Sequence, residues 1–94
     1  MFGILVEVDL DPQNTDVSRK VLREEIVPRV SALPGFVHGY WLDPQDDQGA
    51  SLILFQTEED ARAAATSIGL TVGASPAPGV TFSRIELRGV AEHA

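Results

Sequence analysis

Hydrophobic residues occupy every second position at the start of the chain. They are Phe2, Ile4, Val6, Val8 and Leu10. The positions between them are mixed in character: Gly3, Leu5, Glu7 and Asp9. Because successive side chains of a strand point to opposite faces of a sheet, this pattern predicts a β-strand with one buried face and one mixed face. The turn residues 11–14 end it.

The next segment has the spacing of an amphipathic helix. Thr15 or Asp16 can cap a helix that runs to about Leu33, since a short polar side chain accepts a hydrogen bond from the first turn. The apolar positions form one stripe, which consists of Val17, Val21, Leu22, Ile26, Val30 and Leu33. Pro28 interrupts the pattern and has no N–H, so we expect it to kink the last turn or to restart the helix.

Three further strands and a second helix follow. Residues 36–43 and 50–56 are rich in aromatic and branched side chains, and the polar turn between them predicts a hairpin. Thr57 and the three acids after it start a helix that stops at Gly69. A Gly- and Pro-containing connection leads to the last strand, residues 80–90.

This order of elements predicts the fold class. Strand, helix, strand, strand, helix, strand is the signature of the ferredoxin-like βαββαβ motif, an α+β fold with a four-stranded antiparallel sheet. Both helices cover one face of that sheet. We interpret residues 1–94 as a single domain, because chains divide into several domains only well beyond this length.

The uncovered face of the sheet predicts a homodimer. Four strands about 4.8 Å apart and about 18 Å long present roughly 350 Å². Apolar residues occur in both alternating sets of most strands, for example Leu5 beside Val6 and Ile53 beside Leu54. A patch of this size usually marks an interaction surface, and C₂ pairing of two sheets into an eight-stranded barrel would cover it. The alternative is a monomer with a few exposed apolar residues.

Charge and composition exclude several classes of partner. Seven Lys and Arg stand against fourteen Asp and Glu, a net charge of −7, with no basic stripe that a nucleic acid could follow. There is no cysteine, and no apolar run approaches the roughly 18 residues that span a membrane. The N-terminus lacks a basic region and a cleavage site, so we expect a cytoplasmic protein that binds neither nucleic acid nor membrane.

The second strand carries the main candidates for chemistry. His38 and Tyr40 share one face, and Gly39 beside Trp41 suits close approach of a helix to the other. We therefore expect His38 and Tyr40 on the mixed side of the sheet, facing a pocket. The last strand is expected to add Phe82, Arg84, Glu86 and Arg88 on the same face, with Glu7 opposite Arg84.

One hypothesis gives these residues catalytic roles. His38 would be a general acid or base, Tyr40 a hydrogen-bond donor and Arg84 the stabiliser of an anion or enolate. Three further residues would contact the substrate: Glu7, Trp41 and Phe82. The alternative is structural: a solvated polar face, ion pairs along the sheet, and aromatic side chains that pack in the core.

Neither a metal nor a cofactor is expected. His38 and His93 lie far apart, and no ligand spacing accompanies either. The acids at 58–60 occupy positions where negative charge supports a helix start. The glycines are not placed between a strand and a helix, as a phosphate-binding loop requires.

Several segments resemble the dimeric α/β-barrel superfamily, in particular its antibiotic-biosynthesis-monooxygenase-like branch. The residues that carry the likeness are Val27-Pro28-Arg29, Leu33-Pro34-Gly35-Phe36, Gly39-Tyr40-Trp41 and the stretch 52–61. The resemblance implies a homodimer with a cavity between sheet and helices. Some members are cofactor-independent oxygenases of polyketide aromatics, some degrade haem, others isomerise or decyclise small molecules, and many have no assigned activity.

The family's site residues match this chain unevenly. Haem-degrading members pair an Asn on the first strand with a Trp and with a His on the second helix, whereas here the first strand has no Asn and the second helix no His. The aromatic oxygenases use Asn, Trp, Tyr and Arg, and residues of these types are present as Asn14, Trp41, Tyr40 and Arg84.

Three functions follow as hypotheses. We favour a homodimer that binds a small molecule without clear catalytic machinery. The second hypothesis is a cofactor-independent monooxygenase, or related enzyme, acting on an aromatic or polyketide-like molecule. It requires a pocket of about 300 Å³ or more beside His38, Tyr40 or Trp41. The third is an assembly module whose dimer presents its helices to a protein partner.

Overall fold

The computed structural model describes residues 1–94 and confirms the ferredoxin-like α+β fold. The four strands are β1 (Phe2–Leu10), β2 (Phe36–Trp41), β3 (Gln48–Phe55) and β4 (Val80–Gly89). The three α-helices are α1 (Thr15–Val21), α2 (Val27–Ser31) and α3 (Glu58–Ile68). No helix combines the length and the apolar character that crossing a membrane would require.

The strands form one sheet in the order β2-β3-β1-β4, and all neighbours are antiparallel. The helices cover one face, which we call the helix face. Its alternating residues form the core with the helices, and the buried members are Ile4, Val6, Ile53, Phe55 and Phe82. The opposite side, the open face, carries the other alternating set, so each face follows the period of two in the sequence.

Helix α3 lies close to the sheet. The hydroxyl of Thr57 accepts a hydrogen bond from the backbone N–H of Asp60 at 3.1 Å, and Gly69 ends the helix in a left-handed conformation with φ 78°. Ala61 and Ala64 are its buried residues. Because their side chains are single methyl groups, the helix backbone can approach β1 and β3 closely.

The first helical region, residues 15–31, consists of three consecutive helical segments rather than one continuous α-helix. A π-helical segment (Leu22–Ile26) lies between α1 and α2, and the N–H of Val27 donates to the carbonyl of Leu22. In a regular helix, the ring of Pro28 would clash with the carbonyl four residues earlier. The wider π turn avoids that clash. The disturbance therefore precedes Pro28, and a new α-helix begins at Val27 with Pro28 in its first turn, so the second of the two expected outcomes, a restart of the helix, is the one observed.

A β-bulge changes the face of the sheet on which one predicted site residue lies. Glu7 pairs with Arg84, but the next residue of β1, Val8, pairs with Phe82, so Ser83 is the extra residue. The bulge turns Phe82 to the helix face while Arg84 remains on the open face. The prediction that Phe82 and Arg84 share a face is therefore wrong, because strict alternation fails at Ser83.

Candidate functional site

A cavity of about 510 Å³ lies between the helix face and the first helical region. This volume is within the range of small-molecule sites. Sixteen of its 26 lining residues are hydrophobic, so its interior suits an apolar molecule. It is the feature of the structure that best fits a ligand-binding site.

The cavity exists because the first helical region and α3 pack differently against the same face of the sheet. Val30 of α2 is the single buried residue of the first helical region, and Val17 of α1 is 48% exposed. Beneath this region, β3 contributes small residues, Gly49 and Ser51. Helix α3 packs two buried alanines against its side of the core, whereas the first helical region leaves unfilled space above Ser51.

Ser51 places a hydroxyl on the floor of the cavity. The residue is only 9% exposed, and it lies on the helix face opposite Val6 and Trp41. Its hydroxyl forms no hydrogen bond within the protein and is open to the cavity. An accessible hydroxyl without a protein partner, on an otherwise buried residue, is available to bind a polar atom of a ligand.

Trp41 forms the neighbouring part of the floor. Its indole lies over Gly39, where a Cβ would be 2.6 Å from ring carbons Cη2 and Cζ3. Residue 39 must therefore lack a side chain for the ring to occupy this position. We expected Gly39 to admit a helix, and that expectation is wrong, because the space above it is taken by Trp41 itself.

The walls of the cavity carry charge. Arg19, Arg23 and Arg29 line it from the helices, and Asp43 lines it from the connection between β2 and β3. The guanidinium of Arg29 donates to the carbonyl oxygen of Ser67 at 2.8 Å, which ties α2 to the end of α3.

The proposed catalytic residues do not meet in this cavity. His38 and Tyr40 lie on the open face of edge strand β2, with ring centroids 6.2 Å apart and Tyr40 52% exposed. Arg84 lies on β4, the opposite edge strand, which is separated from β2 by three strand spacings, or roughly 14 Å across the sheet. The expectation that His38 and Tyr40 face the pocket is wrong, because the pocket lies on the helix face and these residues alternate away from it.

The predicted cross-strand pair of Glu7 and Arg84 is confirmed. A guanidinium nitrogen of Arg84 lies 3.4 Å from a carboxylate oxygen of Glu7, and a second lies 2.7 Å from Glu86. These side chains are substantially exposed and lie on the open face. Among the three predicted substrate contacts, Trp41 and Phe82 line the cavity, whereas Glu7 does not.

Sequence reasoning missed the residues that give the cavity its polar character. Ser51 went unnoticed, although the run Gly49-Ala50-Ser51 has too little side-chain volume for a filled core. Arg19 and Arg23 lie outside the apolar stripe of the predicted first helix, and we assigned them no role from the sequence. Their spacing of four residues places them on one side of that helix, which is the signal that could have identified them.

Comparisons with known proteins agree with this architecture. No protein-family model and no curated protein matches the chain. Among solved structures, the heme-degrader MhuD from Mycobacterium tuberculosis, with two hemes bound in its active site, superposes with a TM-score of 0.70 at 13% identity. The match covers 100% of this chain and 99% of that one. An MhuD mutant with two manganese protoporphyrin IX molecules per active site gives 0.71 at 13% identity, covering 100% and 98%.

A third structure widens the comparison beyond haem proteins. A dimeric ferredoxin-like protein from an uncultured marine organism superposes with a TM-score of 0.67 at 12% identity, covering 100% of this chain and 98% of that one. The chain shares the ferredoxin-like fold of these three structures, which is the fold that the resemblance described above implied. At these identities the likeness establishes the fold alone, so function follows only from the residues of the cavity.

Proposed function

We propose that this protein is a homodimer that binds an apolar small molecule in the cavity beneath its first helical region. The cavity itself is the observation that carries the proposal: about 510 Å³, mostly hydrophobic, with a hydroxyl and charged groups on its walls. Apolar enclosure with a few polar groups that orient the ligand is the usual composition of a small-molecule site.

Binding without catalysis is the version that the geometry supports best. A proton-transfer residue must lie within hydrogen-bond reach of the reacting group. No histidine, tyrosine or cysteine lines the cavity, and its only carboxylate is that of Asp43. His38 and Tyr40 would act on a ligand only if it bound to the open face.

A haem-degrading role does not fit these residues. Haem iron is held in proteins by His, Cys, Met or Tyr side chains. None of these lines the cavity. Heme, which MhuD binds, is therefore not proposed as a ligand of this chain.

The second candidate is a cofactor-independent monooxygenase of an aromatic or polyketide-like molecule. Trp41 favours it, because a flat indole on the floor of an apolar cavity suits stacking against an aromatic ring. Aerobic incubation with hydroxylated aromatics should then yield oxygenated product, with a lower rate in Trp41→Phe. An absence of oxygen uptake across a panel of such compounds would refute this candidate, and ligand binding without catalysis would remain the proposal.

The homodimer is argued from the open face. Leu5, Leu52, Leu54 and Tyr40 lie there, with Leu52 40% exposed and Tyr40 52% exposed. Charged side chains on β4 border this apolar group. An apolar centre with a polar border is typical of protein interfaces, and a two-fold axis would place the same face on itself.

The binding proposal is tested with the neutral fluorescent dye N-phenyl-naphthylamine. Val8→Phe places a larger side chain on the floor of the cavity, and Ile26→Phe places one on its helical wall. Each should fill part of the cavity and lower dye affinity at least about tenfold. Val72→Phe is the matched control, because Val72 is 60% exposed and outside the cavity. Equal dye affinity in all three folded variants would refute a ligand site here.

The dimer is tested by sedimentation as a function of concentration. Leu52→Glu places a charge on the open face and should shift the protein to a monomer. Val72→Glu introduces the same charge at an exposed position outside the sheet and should remain dimeric. A wild-type protein that sediments as a monomer at micromolar concentration would contradict the proposal.

A further inference from the structure

The charge on the cavity walls is opposite to that of the chain. The protein has a net charge of −7, with twice as many acidic as basic residues. Yet three arginines line the cavity against one aspartate, Asp43. Nearly half of the seven basic residues are therefore gathered at this one site, and the local charge is positive.

Two of these arginines have no partner within the protein. Arg62 pairs with Glu58, and Arg84 pairs with Glu7 and Glu86. Arg29 is held by the carbonyl of Ser67. Arg19 and Arg23 form neither an ion pair nor a side-chain hydrogen bond, and among the four basic residues without such partners, which include Lys20 and Arg88, they are the two that line the cavity.

Their position on the helix brings these two side chains together. Arg19 lies in α1 and Arg23 in the π-helical segment, four residues later, and both line the cavity. Residues four apart project from the same side of a helix. Both arginines are exposed and border the same apolar space from its helical wall, while Ser51 contributes a neutral hydroxyl residue to the floor.

We propose that the ligand is an organic anion. Its apolar body occupies the cavity, and its oxyanion group, such as a carboxylate, binds Arg19 and Arg23. The planar guanidinium remains charged at all relevant pH values and matches an oxyanion with paired hydrogen bonds. This inference rests on the proposed function, since it assigns a ligand class to the same cavity.

Two dyes with the same aromatic scaffold distinguish the contribution of the negative charge to binding affinity from that of the apolar body. Anilinonaphthalene sulfonate carries one negative charge, and N-phenyl-naphthylamine carries none. Both are titrated into the full-length protein and into the double variant Arg19→Gln/Arg23→Gln. Lys20→Gln is the control, because it removes a positive charge from the same helix at a residue that does not line the cavity.

We expect the double variant to bind the sulfonate about tenfold more weakly, the lower end for loss of a hydrogen bond to a charged group. Its affinity for the neutral dye should change by less than about twofold, and Lys20→Gln should leave both affinities near wild type. Val8→Phe should lower both, which would locate the dyes in the cavity.

The possible failures are distinguishable. If the neutral dye binds the cavity but the sulfonate binds no better and is unaffected by the arginine substitutions, the organic-anion inference is overturned while the proposed function stands. If Lys20→Gln weakens sulfonate binding as much as the double variant, general charge attraction explains the effect and the inference is again overturned. If neither dye binds, the proposed function fails, and the inference fails with it.

Discussion

The contact between Gly39 and Trp41 permits a quantitative test of how the cavity floor is built. In Gly39→Ala, the new methyl group would lie 2.6 Å from two carbons of the indole ring. Real contacts of this kind are not that short, so the ring or the strand must move. Because Trp41 lines the cavity, a displaced ring would change both the stability of the fold and the shape of the site.

Gly89→Ala provides the matched reference. Gly89 is also in a strand, and a Cβ there would lie 3.8 and 3.9 Å from ring carbons of Phe2, which is ordinary van der Waals contact. Replacing Gly by Ala within a strand stabilises the protein by about 0.5–1 kcal/mol when no clash results. Both variants should gain this term, and only Gly39→Ala should lose about 1–3 kcal/mol to overpacking.

The difference between the two variants therefore isolates the clash. We expect Gly39→Ala to have a free energy of unfolding about 1–3 kcal/mol below that of Gly89→Ala. Each kcal/mol corresponds to roughly 4–8 °C in melting temperature for a domain of this size. Urea unfolding measures this difference in the free energy of unfolding. Both variants are measured at the same protein concentration, so that association does not contribute to the difference.

Fluorescence gives a second readout of the same contact. Trp41 is the only tryptophan in the chain, so its emission reports the indole environment directly. We expect a shifted emission maximum in Gly39→Ala and an unchanged one in Gly89→Ala. Equal stabilities within about 0.5 kcal/mol, together with unchanged emission, would refute the reasoning that residue 39 must lack a side chain to hold the ring.

Three further predictions test the core, a helix cap and an ion pair of the open face. Phe55→Ala should lower the free energy of unfolding by about 3–5 kcal/mol, because Phe55 is fully buried and its ring packs edge-on against another aromatic ring; calorimetry measures this. Thr57→Ala should cost about 1 kcal/mol through loss of the helix cap, whereas Thr66→Ala, an exposed position in the last turn of α3, should be near neutral in the same denaturation assay. Glu7→Gln should change stability by less than about 1 kcal/mol, since its pair with Arg84 is exposed; a larger loss would show an energetic role that this geometry does not explain.

The arrangement of local elements could be predicted from the sequence with few errors. The period of two at Phe2 to Leu10 gives β1 its two faces, and the cap at Thr57 and the stop at Gly69 define α3. The order of these elements leads to the ferredoxin-like topology. Each of these signals is local, because it depends on residues a few positions apart along the chain.

The location of the site was decided by tertiary structure. Alternation assigns His38 and Tyr40 to one face, but it does not say on which face a cavity will remain after packing. That depends on volumes contributed by distant segments: Gly49 and Ser51 from β3, and the first helical region above them. Nor does alternation reveal a bulge such as that at Ser83, which turned Phe82 to the helix face.

The sequence by itself therefore determined the elements, their order and the two faces of each strand, since these follow from local backbone geometry. Only the three-dimensional structure showed that α3 packs tightly while the first helical region does not, and that Arg19, Arg23, Ser51 and Trp41 border the same space. The physical reason is that an unfilled volume belongs to no single segment. It is the difference between the space that several elements enclose and the side chains they contribute to it.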